Sequence, residues 1–146
     1  MKRTTLKPTQ RKVKSSKQKG RRLQNWAAKK ISQLLDIPWG PDELISSRRM
    51  GQKGVDVVLR GAALEKFPYS IECASGEKIN LLDKIRQARK NRKKGLQWLL
   101  FFKRAEFKTP IVMMDADVFF NLIDLAHEHG VYDIADSINR PFRKEN

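Results

Sequence analysis

Between residues 17 and 35 the apolar positions Leu23, Ala27, Ile31, Leu34 and Leu35 recur every three or four residues, while Arg22, Lys29 and Lys30 fall on other faces. This spacing predicts an amphipathic helix, closed by Pro38 and Gly40. A short first strand is expected over 43–46, and a polar loop over 47–54 leads into a second strand over 55–59. Residues 69–73 make a third. In these last two segments single acids interrupt apolar runs, Asp56 between Val55 and Val57 and Glu72 between Ile71 and Cys73. Ile79, Leu82, Ile85 and Ala88 mark a second helix whose other face carries Lys84, Arg86, Arg89 and Lys90. The continuous apolar run 96–102, and 111–114 after Pro110, read as buried strands. Val118, Phe119, Leu122 and Leu125 give a last helix ending near Gly130, and 140–146 read as a loose polar end. The sum is an α/β fold, a mixed central β-sheet flanked by helices in the order αβββαββα. No internal repeat is present.

The 146 residues, 40% of them hydrophobic, suit a single domain over 17–146 with a true core. Residues 1–16 carry Lys, Arg, Thr, Ser and Pro without a core-forming pattern and are expected to be a flexible basic arm. Thirty-one basic against 16 acidic residues give a net charge of +15, far more than solubility requires. Nucleic acid is the first candidate partner. Charge alone leaves open an RNA-packing role or a solvated basic surface. Cys73 is the sole cysteine, so no intrachain disulfide or multi-cysteine zinc site can form. That suits a reducing, intracellular compartment. No apolar run approaches the roughly 20 residues of a membrane span, and the basic start lacks the apolar stretch of a secretory signal. Leu6 and Val13 hardly make the apolar face of a transit peptide.

The two strand acids are where chemistry enters. A phosphodiester repels nucleophiles, so cleaving one calls for a cation that neutralises the phosphate and acidifies bound water. Magnesium takes oxygen ligands, and two carboxylates from adjacent strands with a main-chain carbonyl leave positions open for substrate. Asp56 and Glu72 are the candidate ligands, with the Cys73 carbonyl as third. The bland alternative for either acid is solvation on a sheet face, or pairing with one of the many basic side chains.

Several short segments in order go beyond that pair. They are Lys19-Gly20-Arg21-Arg22, Ser47 with Met50-Gly51, Gly54-Val55-Asp56, Pro68-Tyr69-Ser70-Ile71-Glu72-Cys73, and Glu77-Lys78 before a basic helix. Together they resemble the PD-(D/E)xK nucleases, most closely the archaeal-type and phage Holliday-junction resolvases, over roughly residues 17–114. The resemblance implies a restriction-endonuclease-like core and a homodimer whose two sites cut opposite strands of a four-way DNA junction. It also implies Mg2+ as cofactor, with Mn2+ able to substitute, and a cytoplasmic setting in a bacterial or phage-infected cell.

Departures from the family pattern bear on activity. The family carries lysine two residues after the strand acid, where it orients the attacking water and stabilises charge on phosphorus. This chain has Ala74. Either a substitution has disarmed the enzyme, or the chain is a natural variant in which Lys78 or Lys53 reaches the site. Where many members carry an acid in the first helix, the nearest residue is Gln24, which can orient a metal-bound water but adds no charge. Ser47 resembles a loop serine that contributes to cleavage in some members, although Ser46 is adjacent. Gln87 falls where a polar helix residue can approach the site. For DNA binding, Lys17, Lys19, Arg21 and Arg22 cluster at the first helix, and Arg48, Arg49 and Lys53 surround the loop before Asp56. Without an evident base-reading element, recognition of junction shape and backbone is expected, falling steeply with salt. His127 and His129 are spaced wrongly for ligation from one helix face. Phe119-Phe120, and Trp98 with Phe101 and Phe102, suit a core or dimer contact better than a base-stacking platform. The competing class is a noncatalytic DNA-binding protein on a nuclease fold, and within enzymes a nuclease for other branched or mismatched DNA.

Overall fold

The structure is a computed structural model that describes residues 8–49, 51–131, 135 and 138–142, with side chains from Ser15 onward. The start of the basic arm, Met50 and the last four residues lie outside the described residues. Helix α1 (Pro8–Leu35) leads into strands β1 (Ile45–Ser47) and β2 (Val57–Leu59). A short helix α2 (Gly61–Lys66), strand β3 (Tyr69–Ser75), helix α3 (Leu81–Asn91) and strands β4 (Gln97–Lys103) and β5 (Ile111–Met113) follow, then helix α4 (Ala116–Glu128). The five strands form one mixed sheet in sequence order, antiparallel except for the parallel β3–β4 pair that α3 connects.

Alternation along β3 divides its side chains between two layers. Ile71 joins Ala27, Ala28 and Ile31 of α1, Ile45 of β1 and Val57 of β2 in one buried cluster. On the opposite face Ala74 packs with Ala88 of α3 and with Trp98, Leu100 and Phe102 of β4. The alanines at 27 and 28 carry no bulk, so α1 lies close to the sheet. Trp26 crosses Phe101 edge to face at 5.8 Å. Ile71, wholly buried between these layers, is the core residue whose truncation to alanine costs about 2–5 kcal/mol. Asn80 caps α3 by accepting from Asp83 N–H at 3.2 Å. At the other end the Lys93 N–H donates to Ser70 Oγ at 3.0 Å, tying the end of the α3 segment to the start of β3.

Two features differ from the sequence expectation. First, α1 starts at Pro8 rather than near residue 17. Lys, Gln and Arg are good helix formers and proline is tolerated in a first turn, so helix continues where no apolar stripe announces it. Second, α2 adds an element between β2 and β3, and its Ala63 is buried in the α1 cluster. The observed order is therefore αββαβαββα. The chain forms two compact units, Met1–Met114 and Asp115–Asn146. The second contains α4, on which Phe119, Phe120, Leu122 and Leu125 are exposed. No helix among the described residues is long and apolar enough to cross a membrane.

Candidate metal centre and nucleic-acid surface

Asp56 sits just ahead of β2, with its main chain held from both sides. Its N–H donates to Ile71 C=O at 2.9 Å, and its own C=O accepts from Arg48 N–H at 2.8 Å. The loop that delivers it is closed by Arg48, whose Nε donates to Val55 C=O at 2.5 Å, and by Arg21, whose Nη1 donates to Arg48 C=O at 2.5 Å. Gly54 turns the chain at φ 113°, a region that favours glycine, and the Arg48 guanidinium lies 2.9 Å from where a Cβ would stand.

The Asp56 carboxylate is equally fixed. Oδ2 accepts from Cys73 N–H at 2.8 Å and Oδ1 from Gln24 Nε2 at 3.0 Å, so α1 and β3 both aim it. Glu72, 4% exposed, turns to the α3 side of the sheet, where Asn91 Nδ2 donates to Oε1 at 2.8 Å. Burial raises the Glu72 pKa from the ordinary 4.5 to about 7. The Asn91 hydrogen bond opposes that rise, the charge and hydrogen bond of Asp56 add to it, and the Lys84 ammonium lowers it. Burial, and then Asp56 and Glu72, likewise push the Cys73 thiol well above its usual range, so the thiol stays protonated.

Two facing carboxylates, one of them buried and short of compensating charge, form an arrangement that a divalent cation would relieve. A second observation points the same way. Gln24 Oε1 is buried and has no hydrogen-bond partner, although the same amide is fixed on Asp56. A buried acceptor on the amide that holds Asp56 suits a water on a bound cation. In a strand, N–H and C=O of one residue face the same edge. The Cys73 carbonyl thus shares the edge from which its N–H reaches Asp56, as the third oxygen ligand requires. These are hard oxygen donors, and they fit magnesium or manganese better than a thiophilic metal. Among the described residues no group of three or more His, Cys, Asp or Glu side chains gathers to hold a metal.

No protein-family model, curated protein or solved structure matches the chain. What the site can do therefore rests on its own geometry. Ala74 is 3% exposed, in the cluster that contains Ala88, so the position where the resembled motif carries lysine is buried between strand and helix. Lys53 and Lys78 are exposed, and neither makes a described hydrogen bond or ion pair to the carboxylates. Gln87 is exposed and makes no described hydrogen bond to them; it accepts from Lys84 Nζ at 3.2 Å. Ser47 is half-buried opposite Val57 and donates to Asn25 Oδ1 at 2.8 Å, whereas Ser46 is buried and accepts from Arg60. Sequence reasoning did not single out Asn91 as a site residue. It stands on the α3 face that holds Ala88, a relation visible only as a helical spacing.

Two concavities of unequal character flank α1. One, about 390 Å³, has Leu23 and Trp26 in its wall and Lys19, Arg22, Arg104 and Lys108 around it. The other, about 460 Å³, is lined by Arg21, Asn25, Ser47, Arg48, Arg49 and Arg60 among others. The structure thus brings Arg21, Arg48 and Arg49 together near Asp56 and sets Lys19 and Arg22 on the other side of α1. Lys17 and Lys53 are exposed and line neither concavity. Arg21 and Arg48 spend donors inside the protein, which leaves Arg49 the more available phosphate contact.

Proposed function

We propose that the chain is a magnesium-dependent endodeoxyribonuclease that acts on branched double-stranded DNA, above all four-way junctions. The observation that carries the reading is the carboxylate pair, with Glu72 buried against Asp56 and the unpartnered Gln24 oxygen beside it. Asp56, Glu72 and the Cys73 carbonyl would hold the cation. When bound, it would neutralise the scissile phosphate and acidify a water. Gln24 orients a water by accepting from it, Asn91 keeps Glu72 in place, and the Arg48 clamp holds Asp56 still. The net charge of +15 and the basic surfaces beside α1 support phosphate binding. Junction selectivity and a homodimeric state follow from the resemblance of the motifs, and the exposed phenylalanines and leucines of α4 are apolar surface of the kind dimers bury. An intracellular setting belongs to the same reading.

A second reading, a noncatalytic DNA-binding protein on this fold, is favoured by Ala74. One experiment separates the two. End-labelled four-way junction and matched linear duplex are incubated with the protein and Mg2+ or Mn2+, beside Asp56→Asn. Junction cleavage that exceeds duplex cleavage and vanishes in Asp56→Asn supports the nuclease. Binding with no cleavage by either metal supports the second reading, and equal cutting of both substrates removes the junction preference.

A further inference from the structure

We propose that the concavity at the carboxyl ends of β3 and β4 binds an unpaired nucleotide of a DNA strand, with its base on the Trp26 indole and its phosphate on the surrounding cations. This rests on the nucleic-acid part of the reading above and uses neither carboxylate. β3 and β4 are the parallel pair of the sheet, in register from Tyr69 opposite Gln97 to Ser75 opposite Lys103. In α/β sheets ligands settle in the crevice beyond the carboxyl ends of parallel strands. The Gly76 N–H donates to Lys103 C=O at 3.2 Å, which carries the pairing one residue past Ser75. Alternation puts Ser75 and Lys103 on the sheet face of Ile71 and Phe101, the face that α1 covers. Lys19, Arg22, Leu23 and Trp26 share one face of α1 by the i, i+3, i+4, i+7 relation and form the facing wall of the 390 Å³ space.

The wall is apolar and the rim is cationic. Leu23 is buried and Trp26 half-buried, and the edge-to-face contact with Phe101, ring planes at 77°, takes up at most one face of the indole. Lys103 is spent inside the protein: its Nζ donates to the Arg104 and Phe107 carbonyls and pins the turn that brings Arg104 and Lys108 to the rim. Lys19, Arg22 and Lys108 are exposed and make no described hydrogen bond or ion pair, and among the described lining residues Glu77 is the single acid. Such a site calls for a ligand with a flat apolar body and an anionic group, and a nucleotide has both. A base paired in a duplex cannot offer its face, so the occupant is an unpaired nucleotide, as a branch point supplies. Basic residues continue on the other flank of α1, where Arg21, Arg48, Arg49 and Arg60 line the second concavity, which favours a strand over a lone nucleotide or an acidic peptide. Ser75 lies three residues beyond Glu72, about 10 Å along β3, so the bound nucleotide is a near neighbour of the carboxylates.

The test measures binding by the full chain with chelator present, so that nothing is cut. The probes are a short oligothymidylate, the same strand made abasic, thymidine monophosphate, a matched blunt duplex and an acidic peptide bearing phenylalanine. The unsubstituted chain is compared with Trp26→Ala, Ala105→Trp and Arg49→Ala, and thermal melting is recorded for each. Ala105 is an exposed residue of the concavity wall, so Ala105→Trp fills the space from the solvent side without entering the core. The oligothymidylate should bind about 10-fold more tightly than the abasic strand, and Trp26→Ala and Ala105→Trp should each erase that preference with duplex affinity within about 3-fold. Arg49→Ala should weaken every nucleic acid and keep the preference. Equal binding of the oligothymidylate and the abasic strand overturns the inference, as does a preference that survives Ala105→Trp. Thymidine monophosphate bound as tightly as the strand overturns it in favour of a free nucleotide, and the peptide bound more tightly than the strand in favour of a protein partner. If Trp26→Ala fails to fold, Ala105→Trp decides alone. Junction cutting in Mg2+ is scored separately, so the nuclease reading can fall while the base preference stands, and the reverse.

Discussion

Replacing Glu72 by glutamine keeps the shape of the side chain and an acceptor for Asn91, and removes the charge that Asp56 opposes. Glu72 titrates near 7 in the folded chain against 4.5 ordinarily. The folded state therefore holds a proton through that window that the unfolded state releases, and stability falls as pH rises from 4.5 to 7. Taken in full, the displacement amounts to about 3 kcal/mol against the ionised form. Solvent reaching the half-buried Asp56 beside it screens the charges, so a working figure is of the order of 1–2 kcal/mol. In urea unfolding at low ionic strength with chelator present, Glu72→Gln should be more stable than the parent by about that amount at pH 8. The advantage should disappear at pH 5, where the parent carboxyl is protonated in the fold. Manganese should reverse the order at pH 8 by stabilising the parent through RT ln(1 + [L]/Kd) and leaving the variant almost unmoved. A stability difference that is the same at pH 5 and pH 8 would refute the account of Glu72 as a buried, uncompensated charge. Equal stabilisation of both proteins by manganese would refute its place as a ligand.

Gln24→Glu adds a carboxylate beside Asp56; manganese affinity measured by titration should rise about 10-fold, while the metal-free protein should lose about 1–3 kcal/mol with the hydrogen bond to Asp56. Gly54→Ala forces a side chain into φ 113° and should destabilise by about 1–3 kcal/mol in urea unfolding, with weaker manganese binding because the loop carrying Asp56 moves. If manganese affinity is unchanged, the loop does not position the ligand. Arg49→Ala should weaken junction and duplex binding alike and flatten the slope of log K against log salt by about 1, measured by fluorescence anisotropy.

Much of the sheet was legible because its strands are short apolar runs between polar loops. The expected strands at 55–59, 69–73 and 96–102 overlap β2, β3 and β4. Asp56 lies just outside β2, although its N–H and carbonyl bond to Ile71 and Arg48 on the flanking strands' side, a distinction apolar pattern does not carry. Helix α2 is only six residues long, and Ala62, Ala63 and Leu64 offer no full period to detect. The extension of α1 to Pro8 was hidden for the opposite reason, since a helix without an apolar face leaves no periodic trace. Asp56 and Glu72 stood out as charges among apolar strand neighbours. Asn91 did not, because its nearness to Glu72 arises from how α3 returns across β3, and that is a matter of packing between elements.

The continuity of α1 has a consequence for length. Gln24 stands at the carboxylates, and the helix runs on from there to Pro8, about 24 Å away at 1.5 Å per residue. Measured along a duplex at 3.4 Å per step, that is about seven base pairs. Were DNA laid along it, as the nuclease reading would have it, α1 would act as a measuring rod fixed at one end to the carboxylates. The protected stretch on that side of the cut would then be set by the helix count, and shortening α1 by two turns would draw the boundary of a footprint inward by about three base pairs.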